Sequence, residues 1–360
     1  MGRRSVKKKS RSRPPVPGAG VDTGGDMTLK DIAEKTGYSI KTVSRAIHNH
    51  SDISVETRRK IMKIVEEHSF EPNWAAQSLR SRRTRTIGFV IPNLTNGYFG
   101  QIGMVIDTYF RKLGYTTLIG FTSNSYQNEI ESLKSLIAKN VDGIIFAPVG
   151  CTGGYFRDIP KLNSKPLVII DNKCQGIDAH YVLHDNAHGV ALLVNHLLQH
   201  GHRRIGAVIG PVEETSGAER LAGYREALES NGIEIDESLI KISDWEINGG
   251  YRATMELFAD RAAAPKAVFY ANSELILGAY KAFKEMNLGM PSNVAVVSFD
   301  APIVSDALVP YPTTLGYFEE KIGTHAAHLL HEIIGGNEAA LPREIRVESR
   351  LIIGQSCGCA

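Results

Sequence analysis

From Thr86 onward, short apolar runs alternate with helical stretches of about 10–15 residues, and this alternation limits the fold more than any other feature. TIGFVIP (86–92), YTTLIGF (115–121), VDGIIFAP (141–148) and LVIID (167–171) read as buried strands separated by helices. A crossing segment near Val182–Asn186 follows, and the pattern restarts. A helix over about 188–200 leads to RIGAVIG (204–210), and a helix over about 217–230 to a strand near Leu239–Ile242. KAVFYAN (266–272) and VAVVSFD (294–300) complete the second set. Strands joined through helices pair in parallel, so two comparable sets predict two doubly wound subdomains facing one cleft. Ligands of such sheets bind beyond the carboxyl ends of the strands.

Charge divides the chain differently. The 360 residues carry a net +2, yet residues 1–86 hold 19 Lys+Arg against 9 Asp+Glu, a net +10. The remaining 274 residues hold 22 against 30, a net −8. A basic head on an acidic body points to a polyanion-binding module, and above all to a reader of nucleic acid. Residues 1–26 are basic and then rich in Pro and Gly, with few large apolar side chains, and are expected to be disordered. They read as extra non-specific DNA affinity, as a solvated tail, or as a mis-assigned start, since Met27 directly precedes the first ordered motif. Starting at Met27 removes 7 basic and 2 acidic residues and leaves the head at +5, so the sign survives.

No apolar run approaches the ~20 residues of a membrane span, and no apolar stretch follows the basic N-terminus as in a signal peptide. Cys151, Cys174, Cys357 and Cys359 are too few and too irregularly spaced for a disulfide framework. The expected location is the cytoplasm, on the nucleoid.

Residues 28–70 read as three short helices. Thr28 caps the first, with Asp31 three residues on in the manner of a capping box. Gly37 provides the left-handed turn between the first two helices, and Ser54 caps the third, whose inner face is Ile61, Ile64 and Val65. Ala33, Gly37 and Val43 have the spacing of a helix-turn-helix: a small residue for close approach, a turn residue, and an apolar lock. The second helix, Ser39–Ala46, exposes Ile40, Lys41, Ser44 and Arg45, which can enter a major groove.

TVSR (42–45), ISVETRRKI (53–61) and FEPNWAAQSL (70–79), within TLKDIAEKTGYSIKTVSRAIHNH and its continuation, resemble the LacI/GalR (lac-repressor) family of bacterial transcriptional regulators nearly position for position. The resemblance runs from Thr28 to the C-terminus. It implies an all-α helix-turn-helix DNA-binding head and an α/β, periplasmic-binding-protein-like body of two doubly wound parallel-sheet subdomains. The boundaries expected are a tail at 1–26, a DNA-binding domain at 27–72, a hinge helix and linker at 73–85, and an effector-binding and dimerisation domain at 86–360. Within the last, the N-subdomain would take about 86–183 and 317–342, and the C-subdomain about 185–315 and 346–356.

By the same resemblance, Ile40, Lys41 and Arg45 read bases, while Thr28, Ser39, Thr42, Ser44, Ser54, Thr57 and Asn73 lie at or near phosphates. The family's hinge helix falls on Asn73–Leu79, with Ala76 and Gln77 beside the duplex and Leu79 as an apolar wedge in the minor groove. Gln77 stands where many members have Arg. A hinge this short needs a partner and DNA to order it, which implies a homodimer, or a tetramer built from dimers, on a pseudopalindromic operator.

In the body, IGFVIPNLTNGYF (87–99), DNAHGV (185–190), NHLLQHGHRRIGAVIGP (195–211) and AERLAGYREAL (218–228) carry the resemblance. It implies ligand contacts from Phe99, His188, Arg220, Trp245, Asn272, Asp300 and Tyr317, with His188 at the cleft rim. Three positions depart from the family pattern: Gly97 for Pro, Ser273 after Asn272, and Ala301 after Asp300. Aromatic, Arg, Asn and Asp side chains together favour a sugar or sugar derivative over a nucleobase.

His180, His184 and His188 straddle a strand and give no metal face; His325, His328 and His331 read as one face of a helix. Cys357 and Cys359 could oxidise or bind metal, but no role for them follows from the sequence. There is no GxSxG, no P-loop and no dinucleotide glycine fingerprint, so neither a cofactor nor an enzyme is expected. The expected function is a ligand-controlled repressor of carbohydrate-use genes. The alternatives are a regulator of the same family controlled by a phosphoprotein partner or a nucleobase. A soluble sugar-binding protein would need export and would carry no DNA-binding head.

Overall fold

A computed structural model describes residues 27–47, 49–68, 70, 83–94, 96–149, 154–174, 177–302, 307–316, 318–337 and 343–359. The tail at 1–26, the hinge positions Asn73, Ala76, Gln77 and Leu79, and Tyr317 lie outside the described residues. The chain divides into two compact units, at Met1–Gln77 and Ser78–Ala360.

In the first unit, helix α1 (Leu29–Thr36) starts at a complete capping box. Asp31 N donates to Thr28 Oγ1 (3.3 Å), and Thr28 N donates to Asp31 Oδ2 (2.8 Å). Both satisfy donors that a helix start leaves without intrahelical partners. Gly37 ends the helix at φ 71°, a conformation in which a Cβ would be strained. Helix α2 (Ile40–Ile47) begins where Thr42 N donates to Ser39 Oγ (3.1 Å), and α3 (Val55–Glu67) where Thr57 N donates to Ser54 Oγ (3.2 Å). Ile32, Ala33, Val43, Ala46 and Ile61 close the small core, with Ile64 and Val65 packed against it. The expected turn and lock are thus where the spacing puts them.

The second unit holds two six-stranded sheets. The first comprises β1 (Thr86–Ile91), β2 (Thr116–Phe121), β3 (Gly143–Phe146), β4 (Leu167–Ile170), β5 (His180–His184) and β11 (Glu344–Val347), in the order β11-β5-β4-β3-β1-β2. All its pairings are parallel. The second comprises β6 (Ile205–Ile209), β7 (Ile240–Ile242), β8 (Ala267–Tyr270), β9 (Ala295–Ser298), β10 (Thr313–Gly316) and β12 (Arg350–Ile352), in the order β12-β10-β9-β8-β6-β7. Here only β12 is antiparallel, to β10. Central strands such as β3, β4, β8 and β9 are buried along their whole length, as parallel strands covered on both faces must be.

Three connections pass between the sheets: from β5 into the helix Asn186–Gln199, from β10 into the helix Glu319–Gly335, and from β11 to β12. Two expectations change here. The segment near Val182–Asn186 is not merely a crossing, because β5 is a paired strand whose polar ends, His180 and His184, hide it from an apolar-run criterion. Residues 346 and 347 belong to the first sheet rather than the second, since Glu344–Val347 pairs with β5. That edge strand, EIRV, is only partly buried, so its sequence gives little signal.

The five-residue core of the head makes it easy to destabilise. Ile61→Ala should cost the head about 3 kcal/mol. Operator binding should fall while the body's thermal transition stays at the parent midpoint; a shift of the body's transition instead would place Ile61 in a shared core.

Candidate functional site

The carboxyl ends of the strands in the second unit converge on a cleft of about 380 Å³. The first sheet supplies Asn93 after β1, Val149 after β3, Asp171 and Asn172 after β4, and His184 at the end of β5. The second supplies Glu214 after β6, Asn272 after β8, and Phe299 and Asp300 after β9. This is where open α/β sheets present ligand sites, because helix N-termini and strand ends meet there.

Arg220 lies at its centre, on the helix Thr215–Glu229, and is only 6% exposed. Its Nε donates to Asn186 Oδ1 (2.9 Å) and its Nη1 to the carbonyl of Ala271 (2.6 Å). The guanidinium carbon sits 3.7 Å from the Phe299 ring centroid and 5.4 Å from that of Trp245, a stacked cation between aromatic faces. Asp300, 7% exposed, accepts from Ser273 Oγ at Oδ2 (3.3 Å), while its Oδ1 is buried with no hydrogen-bond partner among the described residues.

Burial dominates the electrostatics. It raises the carboxyls of Asp171 and Glu214 and pushes Asp300 up to about 6, with the charge of Arg220 opposing the shift in each case. Burial, aided by the charges of Arg220 and Arg346, holds His184 well below the ordinary imidazole range, so it is neutral at pH 7. His184 Nε2 lies 2.9 Å from Tyr98 Oη, and its ring packs edge-on against Phe318 and Phe299 at 4.7 and 5.5 Å. The lining is therefore rich in acceptors, with one strong cationic donor.

The sequence-predicted ligand residues fare unequally. Phe99, Arg220, Trp245, Asn272 and Asp300 all line the cleft. Trp245 is anchored by its indole N–H to Glu214 Oε2 (2.8 Å), and its ring crosses Gly210, where a Cβ would lie 2.3 Å from it. Asn272 lines the cleft but is already engaged: its carbonyl caps the helix Ser273–Glu285 by accepting from Leu275 N (2.8 Å), and its amide donates to Trp245 O (3.3 Å). His188 does not line the cleft. It occupies the first turn of the helix capped by Asp185 and is exposed, whereas His184, four residues earlier at a strand end, supplies the cleft imidazole. Tyr317 is outside the described residues, and its neighbour Phe318 is in the lining. Sequence reasoning missed Tyr98, Asp171, His184, Glu214, Phe299 and Phe318; the signal available was their place at or just after strand or helix ends.

A path of contacts leads out of the cleft. Asn186, which holds Arg220, donates through Nδ2 to Glu219 Oε2 (2.8 Å). Glu219 forms a bidentate pair with Arg346 on β11 (2.7 and 2.8 Å), and Arg346 Nη1 also donates to His184 O (3.1 Å). Cleft, first crossing and third crossing are thereby joined by charge-assisted bonds.

On the head, Ile40 is 49% exposed, Lys41 is exposed and Ser44 is half-buried on α2, while Thr28, Ser39 and Ser54 are exposed at the three helix starts. Helix N-termini flanked by solvent-exposed hydroxyl residues suit phosphate contact. Thr42 and Thr57 are half-buried behind Ser39 and Ser54, each within 2.9 Å of the neighbouring hydroxyl. Arg45 reaches Asp52 at 2.7 Å, a pair that any base contact by Arg45 must open.

Asp300 gives the site a pH signature. Because its folded value lies near 6 rather than 3.8, the folded chain retains a proton that the unfolded chain loses between about pH 4 and 6, and stability falls as pH rises through that window. The shift is worth about 3 kcal/mol. Urea unfolding of ligand-free protein should show this decline, and Asp300→Asn should flatten it; identical slopes would mean that Asp300 titrates normally.

Comparison with known proteins agrees with this geometry. Residues 28–73 match the family model of bacterial regulatory proteins, lacI family, and residues 194–357 match that of the periplasmic binding protein-like domain. The chain is similar to the HTH-type transcriptional repressor PurR of Escherichia coli, at 29% identity over 90% of this chain and 95% of that protein. It is also similar to the ribose operon repressor of Haemophilus influenzae, at 30% identity over 86% and 93% respectively. The structure of the Lac repressor bound to ONPG in its repressed state superimposes with a TM-score of 0.80 at 25% identity, over 92% of this chain and 99% of that one. Among the described residues no helix is long and apolar enough to cross a membrane. With a helix-turn-helix ahead of a two-sheet ligand cleft, and a relative at 30% identity over most of both lengths, the chain belongs to the lacI family of bacterial regulatory proteins and is a DNA-binding regulator of transcription.

Proposed function

We propose that the chain is a homodimeric repressor whose operator affinity is set by a sugar or sugar derivative bound at Arg220 and Asp300. The observation that carries this reading is the buried, unpartnered Oδ1 of Asp300 beside a stacked guanidinium. An unsatisfied buried acceptor costs about 1–3 kcal/mol, which a ligand hydroxyl would recover on binding. A polyol supplies hydroxyls that donate to Asp300, Asp171 and Glu214 and accept from Arg220, while Phe99 and Trp245 offer apolar surface to the ring's C–H face. The cleft's 380 Å³ lies toward the small end of the ~300–1,000 Å³ typical of ligand sites and suits one or two sugar rings.

Binding there would tighten the grip of Arg220 on Asn186 and so reach Glu219, Arg346 and the crossings between the sheets. The hinge helices that the family resemblance implies at Asn73–Leu79, with Ala76, Gln77 and the wedge Leu79, would pair on DNA and respond as the two subdomains turn. On DNA, Ile40, Lys41 and Arg45 are assigned to bases, and Thr28, Ser39, Thr42, Ser44, Ser54, Thr57 and Asn73 to the phosphate backbone. The kinship with PurR supports one rival, a nucleobase effector in the same cleft. It is the weaker reading because the lining presents several carboxylates, which a polyhydroxylated ligand satisfies more fully than a base does.

A thermal-shift screen of pentoses, hexoses and their phosphates beside purine bases should give a sugar as the stabilising ligand. Asp300→Asn should weaken that sugar by about 10–100-fold, the value of a charge-assisted hydrogen bond, with operator affinity in its absence unchanged. Stabilisation by a purine and by no sugar would replace the proposal with its rival. On the head, Lys41→Ala should cost about 1–3 kcal/mol on the cognate operator and much less on random DNA; equal losses on both would make Lys41 a phosphate contact.

A further inference from the structure

The last residues form a Cys-Gly-Cys motif that the cleft does not use. Cys359 Sγ lies 3.0 Å from Cys357 Sγ, 3.1 Å from His196 Nε2 and 3.0 Å from His200 Nε2. The ligand atoms of His196, Cys357 and Cys359 all fall within 4.8 Å of one another. His196 and His200 are one turn apart at the end of the helix Asn186–Gln199, so their rings share a face, with centroids 4.7 Å apart. We infer that His196, His200, Cys357 and Cys359 form a binding site for zinc or a similar thiophilic divalent cation, fastening the C-terminal tail to this helix.

Two thiolates and two imidazoles are the donor set that zinc takes in tetrahedral structural sites. With metal–sulfur bonds of about 2.3 Å and metal–nitrogen bonds of about 2.0–2.1 Å, the donors of such a site stand about 3.3–3.8 Å apart. The three separations from Cys359 Sγ, 3.0–3.1 Å, are a few tenths shorter, a gap that rotation of half-buried Cys359 and exposed His200 can open. Cys357 and His196 are buried and form the fixed half.

The surroundings are built to hold that half still. Thr313 Oγ1 lies 3.0 Å from Cys357 Sγ and can donate to a thiolate there, the role of an outer-shell partner. Ser356 Oγ donates to Val296 O (2.6 Å) and accepts from Thr313 N (2.9 Å), while Gln355 N donates to Tyr311 O (2.6 Å), so the motif is held at the amino ends of β9 and β10. Loading would replace the two thiol protons, released to solvent, by one divalent cation, with no oxidant or reductant needed. The same helix begins at Asn186, the partner of Arg220, so a cation at its far end would steady the lobe that reads the effector.

Reduced, chelator-stripped full-length protein titrated with Co²⁺ should develop tetrahedral d–d bands and a thiolate charge-transfer band. Both should saturate at one cation per chain and be displaced by Zn²⁺. Cys359→Ser and His200→Ala, at the open end of the cluster, should fold normally and weaken Co²⁺ on the order of a hundredfold. The inference is overturned if the reduced parent shows no charge-transfer band, or if the band is undiminished in Cys359→Ser. It is equally overturned if Cys357 and Cys359 are recovered as a disulfide and bind no cation after reduction, which would assign the pair to redox chemistry.

Discussion

The placement of one buried cation organises the body of this protein. Arg220 is desolvated, so burial works against its charge, and the fold offsets that cost with a stacked Phe299, the Ala271 carbonyl, Asn186 and nearby carboxylates. These partners come from the ends of β4, β8 and β9 and from the start of the helix Asn186–Gln199. Removing the guanidinium would leave buried Asp300 and half-buried Asp171 without their counter-charge, so a cleft of this shape and this Arg are mutually dependent.

The same constraint explains how a binding event could travel. Asn186 opens the first helix after the crossing from β5, and Glu219, which it contacts, is held bidentately by Arg346 on the strand that makes the last crossing. Coupling requires elements with two arrangements that both sites bias. The crossings are where two rigid sheets can turn against each other, and this network spans two of the three. A contact series of this kind is a physical route for the proposed control of DNA binding.

Much of this was legible in the residues. Eight of the strand runs announce themselves by uninterrupted apolar stretches or by their place in the alternation, and the capping box at Thr28, the turn at Gly37 and the lock at Val43 follow from local rules alone. Arg220 and Asp300 were identified through a family resemblance, and both line the cleft. What stayed hidden was hidden for physical reasons. The strand His180–His184 has polar ends, and what places His184 in the cleft, its contacts with Tyr98, Phe299 and Phe318, comes from residues distant in the chain. Glu344–Val347 is an edge strand recognisable only by its pairing. The cluster at Cys359 joins side chains about 160 positions apart, a distance across which spacing carries no information.

The central claim is that the cleft and the operator are linked through Arg346. The direct test is the ratio of operator dissociation constants with and without the stabilising sugar, in the parent and in Arg346→Ala. The account predicts that the variant still binds both sugar and operator, with the ratio collapsing toward one, and by linkage the effect of operator on sugar affinity collapses equally. An unchanged ratio in a variant that has lost the Glu219 pair would contradict it.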